Sequence, residues 1–294
     1  MNPEQVRERE ARWALPAALA AFLAVLLIIL QGFVSSVSGS GEADALRSVD
    51  VHTGNVTLTS LMPALAFLLF AIPLVYLFRA VRARSERVQP AMVALLIAAP
   101  LLVAVGTVLY GQARIEAAEH FVAGEAKPTI SAKEAKEKCE GEKPLAACEK
   151  EKREDDAATH AISDASLTPA ATIVSLAGGL LLAIGLFYTC LWAMRLGLLS
   201  RFWGSLGMAL GIAVLIGFVI FAIVWFFYLG LLFLGFLPGG RPPAWEEGKA
   251  VPWQTPGERA AAELEPSAGE GAGAADGEAA SGEVPERRKR KQRE

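Results

Sequence analysis

Long apolar runs separated by charged segments are the dominant pattern of the chain. Four of these runs lie at approximately residues 13–34, 58–78, 91–110 and 169–192, and none contains an Asp, Glu, Lys, Arg or His. A helix needs about 20 mainly apolar residues to cross a hydrocarbon core about 30 Å thick. In lipid the backbone must satisfy its own hydrogen bonds, which a helix does within one segment. The pattern therefore predicts an all-α fold with four clear transmembrane helices.

A fifth apolar block covers residues 204–237. As one helix rising about 1.5 Å per residue it would be about 50 Å long, which exceeds the thickness of the hydrocarbon core. We therefore expect a tight hairpin of two short helices, residues 204–218 and 221–237. This interpretation gives a polytopic bundle of six helices over residues 13–237. A single crossing, and hence five helices in all, is the alternative.

The distribution of arginine predicts the orientation, because short loops rich in Lys and Arg remain on the cytoplasmic side. Arginines are concentrated in the N-terminal arm (residues 1–12), in the loop at residues 79–90 and in the loop at residues 193–203. In the first loop, residues 35–57, Arg47 is the only Lys or Arg residue. We therefore predict a multi-pass protein of the cell membrane whose N-terminus and C-terminus are both cytoplasmic.

The long loop at residues 111–168 is predicted to lie outside the cytoplasm and to be helical. Ser131 followed by Glu134 is the pattern of a capping box that opens a helix. Pro144 indicates a break before a second helix, and Cys139 and Cys148 lie on either side of it. In an oxidising exterior these cysteines could form a disulfide, which would close a small helical hairpin. Two unpaired thiols are the alternative.

The C-terminal tail, residues 238–294, is predicted to be cytoplasmic. Its first part is rich in Pro, Gly and Trp, and Trp245 and Trp253 could be anchors at the membrane interface. From about residue 257 it is too poor in large apolar residues to fold, so we expect disorder. The tail ends in a basic cluster that could contact anionic lipid, although a solvated tail is the alternative and nucleic acid is not an expected partner. The cluster consists of Arg287, Arg288, Lys289, Arg290, Lys291 and Arg293.

The sequence contains no recognisable catalytic, cofactor or metal motif, so we do not expect an enzyme. The chain is 53% hydrophobic and 20% charged, and the absence of ionisable groups from the four clear apolar runs argues against a proton-coupled pump or a voltage sensor. His52, His120 and His160 fall in the two external loops without the HExxH spacing of a zinc site. A metal site built from them with nearby carboxylates is a weak alternative.

Glycines in the fifth apolar block are candidates for helix packing. Gly204, Gly207 and Gly211 bring small residues to one side of a helix, and the last two fit the small-xxx-small pattern that lets helix backbones approach closely. We expect packing within the bundle. An interface between two copies of the chain is the alternative.

Two stretches of the sequence resemble a family of multi-pass membrane proteins from GC-rich bacterial genomes. They are RLGLLSRFWGSLGMALG, residues 195–211, and PGGRPPAWEEGKAVPWQ, residues 238–254. The resemblance implies a two-helix hairpin for the last apolar block, although this chain lacks a proline at the expected turn. The family has no assigned activity, so the resemblance implies an architecture and no mechanism.

These features favour a non-catalytic membrane protein that acts as a scaffold, a sensor or an accessory subunit. It would act through its external loop and its cytoplasmic tail, with the lipid bilayer and other membrane proteins as partners. The alternative is a small transporter or channel for an uncharged or lipid-like solute. An external metalloenzyme is a third and weaker hypothesis.

Overall fold

The computed structural model describes residues 2–35, 41–51, 53–139, 144–215, 219–237 and 240–253. Over these residues the chain forms α-helices and no β-strand. The helices are α1 (Pro3–Ser35), α2 (Glu42–Val51), α3 (Thr53–Arg84), α4 (Met92–Val122), α5 (Ala132–Lys138), α6 (Leu145–Asp164), α7 (Thr168–Arg195), α8 (Arg201–Leu215), α9 (Val219–Leu234) and α10 (Pro243–Glu247). The predicted all-α class is confirmed for this part of the chain.

Four of these helices, α1, α3, α4 and α7, are long and apolar enough to cross a membrane. On α1, large apolar side chains such as Leu15, Leu19 and Leu23 are exposed, whereas Ala21 and Ala24 are fully buried. Large residues outside and small residues inside are typical of a helix that packs closely against its neighbours and faces lipid. The helices that the apolar runs predict are therefore present.

Two of the long helices extend well beyond their apolar runs. Helix α1 begins at Pro3, so most of the predicted N-terminal arm is helical, and α4 continues to Val122, well into the predicted loop at residues 111–168. The apolar pattern marks the part of a helix that lipid can surround, but it does not mark the helix end. Glu, Arg and Ala continue a helix readily in water.

Small residues allow α4 and α7 to approach each other closely. A Cβ atom added at Gly178 would lie 2.8 Å from the backbone nitrogen of Val103, and one added at Gly106 would lie 3.0 Å from that of Ser175. Such separations leave no room for a side chain. Helix α3 packs against both α1 and α4, and α7 packs against both α4 and α8. Each of these helices is therefore in contact with the next one in the series α1, α3, α4, α7 and α8.

The fifth apolar block forms two short helices, α8 against α7 and α9 against α1. The indole Nε1 of Trp225 donates to the carbonyl of Trp203 at 3.0 Å, and the ring of Trp203 stacks on Tyr228. Helix α8 begins at Arg201, three residues before the expected start, because Ser200 accepts a hydrogen bond from the backbone of Trp203. The two predicted helices leave residues 219–220 for the turn, but α9 already begins at Val219, so these residues are helical; residues 216–218, between α8 and α9, lie outside the described residues.

Candidate functional site

A small helical lobe stands at one end of the bundle, and it is the candidate site for contact with other molecules. We define the lobe as α2, α5, α6, the last part of α4 (residues 111–122) and the connecting segment 123–131. Its core is built mainly from alanine, so the three longer helices approach one another closely. The buried residues are Ala43, Leu46, Val49, Ala113, Ala117, Ala118, Ala158, Ala161 and Ala165.

Three consecutive acidic residues on α6 hold the lobe together. The carboxylate of Glu154 accepts from Arg47 of α2 at 2.7 Å. Asp155 accepts from the backbone nitrogen of Ala43 at 3.1 Å, and Asp156 accepts from the backbone nitrogen of Ile130 at 3.0 Å. One turn of α6 therefore fixes the side of α2, the start of α2 and the connecting segment.

The start of α2 depends on this arrangement because Gly41, which precedes it, has no side chain to cap the helix. A Cβ atom added at Gly41 would lie 2.6 Å from Oδ1 of Asp155. Asp155 therefore occupies the space of a capping side chain and satisfies a backbone donor at the first turn. The capping residue Asp155 and its donor Ala43 are 112 positions apart in the sequence.

These contacts shift the pKa values of the acids. The hydrogen bond from Arg47 lowers the pKa of Glu154 below its ordinary value, against a smaller opposing effect of burial. Burial raises the pKa of Asp156, but the hydrogen bonds from Ile130 and Thr129 together outweigh it, so its pKa is also lowered. Both carboxylates are therefore held in the charged form that their partners require.

A groove of about 690 Å³ lies between the end of α4, the connecting segment and α6. We call it the lobe groove. Its apolar surface includes Phe121, Pro128 and Ala157, and the guanidinium of Arg47 lies 5.6 Å from the centre of the Phe121 ring. The charged side chains that line it are Arg47, Glu149, Lys150, Arg153 and Glu154. Apolar and charged groups side by side can bind a short segment of protein chain.

The second part of the lobe is the α5–α6 hairpin. Ser131 and Glu134 form the predicted capping box, with Ser131 Oγ accepting from the Glu134 backbone and Glu134 accepting from the Ser131 backbone. The sulfur atoms of Cys139 and Cys148 are joined in a disulfide with a Cα–Cα distance of 5.9 Å. The disulfide connects the end of α5 to the first turn of α6, while residues 140–143 between them lie outside the described ranges.

The candidate metal ligands are not brought together. His120 Nδ1 lies 2.6 Å from Glu125, and His160 Nδ1 lies 2.7 Å from Asp164, so each imidazole pairs with a nearby carboxylate in the chain. His52 lies outside the described residues. No three His, Cys, Asp or Glu side chains in the described part of the chain are grouped so that they could hold a metal ion.

The glycines of α8 lie against other helices of the same chain. A Cβ atom added at Gly207 would lie 2.5 Å from Cys190 Sγ, and one added at Gly211 would lie 2.7 Å from the Cα of Ala183. Gly204 is close to the side chain of Met194. All three glycines therefore face α7, and Gly207 also faces Trp225 of α9.

The other end of the bundle carries a buried polar cluster that sequence reasoning missed. Arg84 of α3 pairs with Glu10 of α1 and also donates to the carbonyl of Ala244 at 2.8 Å. Tyr76 donates to the backbone carbonyl of Glu10 at 3.0 Å, and Trp245 stacks on Tyr76. We call these five residues the polar cap. From the sequence alone Arg84 cannot be distinguished from the other arginines of the predicted loop at residues 79–90, because its partner Glu10 is distant in the sequence.

The Pro-, Gly- and Trp-rich segment is packed against the bundle. Trp245 is 6% exposed, and its indole donates to the carbonyl of Leu198 at 2.9 Å. Trp253 donates in the same way to Leu199 at 2.8 Å. The two carbonyls belong to the turn between α7 and α8, where helix ends leave acceptors unpaired. The terminal basic cluster lies outside the described residues.

No protein-family model, curated protein or solved structure matches the chain. The resemblance to multi-pass membrane proteins of GC-rich bacterial genomes therefore remains a prediction.

Proposed function

We propose that the chain is a non-catalytic protein of the cell membrane that acts as a scaffold, a sensor or an accessory subunit for another membrane protein. The observation that carries this proposal is the lobe, a folded element with its own core and groove at one end of an apolar helical bundle. A protein that only filled the bilayer would need no such element. The transporter or channel alternative remains a prediction of the sequence, since no contact among the described residues favours it.

The proposed orientation places the lobe outside and the polar cap in the cytoplasm. The disulfide of the lobe supports this choice, because disulfides persist in oxidising compartments. The arginines of α3 lie at the opposite end of that helix from the lobe, where the positive-inside rule expects them.

We propose six membrane passages, with α8 and α9 as a hairpin that enters and leaves on the cytoplasmic side. Two contacts support the hairpin. Trp245 bonds the carbonyl of Leu198, just before α8, and its ring lies 5.9 Å from that of Phe233, near the end of α9. The hairpin therefore begins and ends beside the polar cap. At about 1.5 Å per residue each arm is about 23 Å long, and an apolar helix shorter than the core of about 30 Å completes a passage by thinning the bilayer locally.

The lobe groove is the proposed docking site, and its occupant is an external segment of a partner membrane protein. Arg153 and Lys150 would receive acidic side chains of that segment, while Phe121 and Pro128 would contact apolar ones. Interfaces of this kind commonly combine an apolar centre with a charged rim. The cytoplasmic tail would supply a second contact.

Site-specific photo-crosslinking in native membranes tests this proposal. A photoreactive amino acid at Ala132, which lines the lobe groove, should capture a discrete partner, and the adjacent exposed position Lys133 should capture it weakly. Arg153→Gln should reduce capture, whereas the matched change Lys152→Gln, outside the groove, should not. Equal capture from both positions, or equal effects of the two substitutions, would argue against a groove-specific partner.

A further inference from the structure

A second groove lies on the outer surface of the bundle, between α1 and α3 and beside the polar cap. We call it the arginine groove, and its volume is about 780 Å³. It exists because small residues meet at its floor, where Ala17 and Ala80 are buried. The larger residues Trp13, Ile72 and Ile97 form its walls and do not fill the space between them.

The end of this groove nearest the polar cap is strongly basic. Arg9, Arg79 and Arg82 line it, and all three are exposed. In the part of the chain that the structure describes, none of the three forms an ion pair. The carboxylate of Glu10 also lines the groove, but both of its oxygens are bound by Arg84 at 2.5 and 2.9 Å. Arg84 therefore neutralises Glu10, and Arg9, Arg79 and Arg82 give the groove a net positive charge.

The opposite end of the groove is apolar and opens towards the lipid-facing surface. Ile72 precedes Arg79 by two helical turns, which corresponds to about 10 Å along α3. Ile72 is 41% exposed and Ile97 is 51% exposed, so the apolar wall is continuous with the exposed apolar surface of α3 and α4. Trp13, 54% exposed, stands beside the basic end, where an amphipathic ring prefers the membrane interface.

We propose that the arginine groove binds an anionic phospholipid of the cytoplasmic leaflet. The phosphate would lie among Arg9, Arg79 and Arg82, and an acyl chain would lie along Ala71 and Ile72. Only a molecule with an anionic head and an apolar tail matches both ends of the groove at the same depth in the bilayer. Anionic lipids are concentrated in the leaflet that the proposed orientation places beside the polar cap. The site is separate from the basic cluster at residues 287–293 and does not depend on a partner at the lobe.

Native mass spectrometry of the full chain in detergent tests the proposal. The probes are phosphatidylglycerol and phosphatidylcholine with identical acyl chains. We expect one tightly held phosphatidylglycerol, and we expect Arg79→Gln with Arg82→Gln to weaken its binding by roughly tenfold or more, since each basic residue near a bilayer surface contributes roughly a fivefold factor. The matched control is Arg87→Gln with Arg201→Gln, two exposed arginines that do not line the groove.

Further variants separate the apolar and the basic contributions. Ala71→Trp should reduce lipid binding by filling the apolar end while leaving every arginine in place. Replacement of the basic residues at 287–293 by Gln should leave the tightly held lipid bound. Three results would each overturn the proposal. They are an affinity for phosphatidylcholine equal to that for phosphatidylglycerol, displacement of the bound lipid by inorganic phosphate alone, and a loss of lipid binding in the control pair equal to that in the Arg79 and Arg82 variant. Circular dichroism should show unchanged helix content in each variant; if the double variant loses helix, the single change Arg82→Gln replaces it and should weaken phosphatidylglycerol binding by roughly fivefold.

Discussion

The guanidinium of Arg84 and the carboxylate of Glu10 form a two-point ion pair in which the Arg84 side chain is 0% exposed and the Glu10 side chain is 11% exposed. The pair joins the end of α3 to the beginning of α1 across 74 positions of sequence. Arg84 also bonds the carbonyl of Ala244, so the same side chain fixes the segment that follows α9. The polar cap therefore depends on one buried cation.

Removing either partner of this pair should strongly destabilise the protein. Glu10→Gln leaves Arg84 buried without a counter-charge, and breaking a buried pair in this way typically costs about 3–5 kcal/mol. Thermal unfolding in detergent should show a large decrease in melting temperature. The control is Glu8→Gln, an exposed acid on the same helix, which should change stability little. A small effect at Glu10 would mean that the pair is not buried in the membrane-bound protein.

The stability of the lobe should depend on pH through Glu154. Because the pKa of Glu154 is lowered in the fold from an ordinary value of 4.5, its contribution is present above that value and is lost as pH falls through the lowered pKa. At about pH 7 the backbone amides of α2 should therefore undergo hydrogen exchange faster in the Glu154→Gln variant than in the wild type. The difference should disappear in strong acid. Glu151→Gln, an exposed neighbour, should behave as the wild type at both pH values.

Loss of the disulfide should loosen the lobe without disturbing the bundle. Closing a loop of about ten residues is expected to contribute roughly 2–3 kcal/mol. Cys139→Ser with Cys148→Ser should make the α5–α6 region more sensitive to limited proteolysis, while the α1–α3 contacts stay protected. The control is Cys190→Ala, which removes the buried free cysteine and should leave the proteolysis pattern unchanged.

Adding a methyl group at two glycines should have opposite consequences. At Gly211 the new Cβ would lie 2.7 Å from the backbone of Ala183, so Gly211→Ala should push α8 away from α7 and lower the melting temperature. At Gly54 an added Cβ meets no atom within 4 Å, and alanine favours a helix, so Gly54→Ala should be neutral or slightly stabilising. Equal effects at both positions would contradict the close contact between α7 and α8.

The cytoplasmic side that six passages give to the segment after α9 can be tested by labelling single cysteines in intact cells with a membrane-impermeant maleimide. A cysteine at Lys133 in the lobe should react in intact cells. A cysteine at Lys249, beyond α10, should react only after the cells are made permeable. Reaction of both sites in intact cells would favour five passages and would place the polar cap segment outside.

The limits of sequence reasoning are clearest at residues whose partners lie far away along the chain. The capping box at Ser131 and Glu134 was predictable because both partners lie within one helical turn. The cap that Asp155 provides for α2 was not, since a glycine at position 41 gives no local sign of a capping residue on another helix. In the same way, glycine spacing predicted close packing for α8, but it missed Gly106, whose neighbour Ser175 lies on α7.

The sequence by itself determined that the chain is helical and apolar enough to enter a membrane, because about 20 uncharged residues in succession have one stable state in lipid. It also determined where α5 begins, through the capping box of Ser131 and Glu134. Only the tertiary structure decided that Trp245 is inserted beside Tyr76, that Arg84 is neutralised by Glu10, and that Arg79 and Arg82 are left to line a groove. These outcomes depend on contacts between residues that are far apart in the sequence. The linear pattern of apolar and charged residues does not specify such contacts.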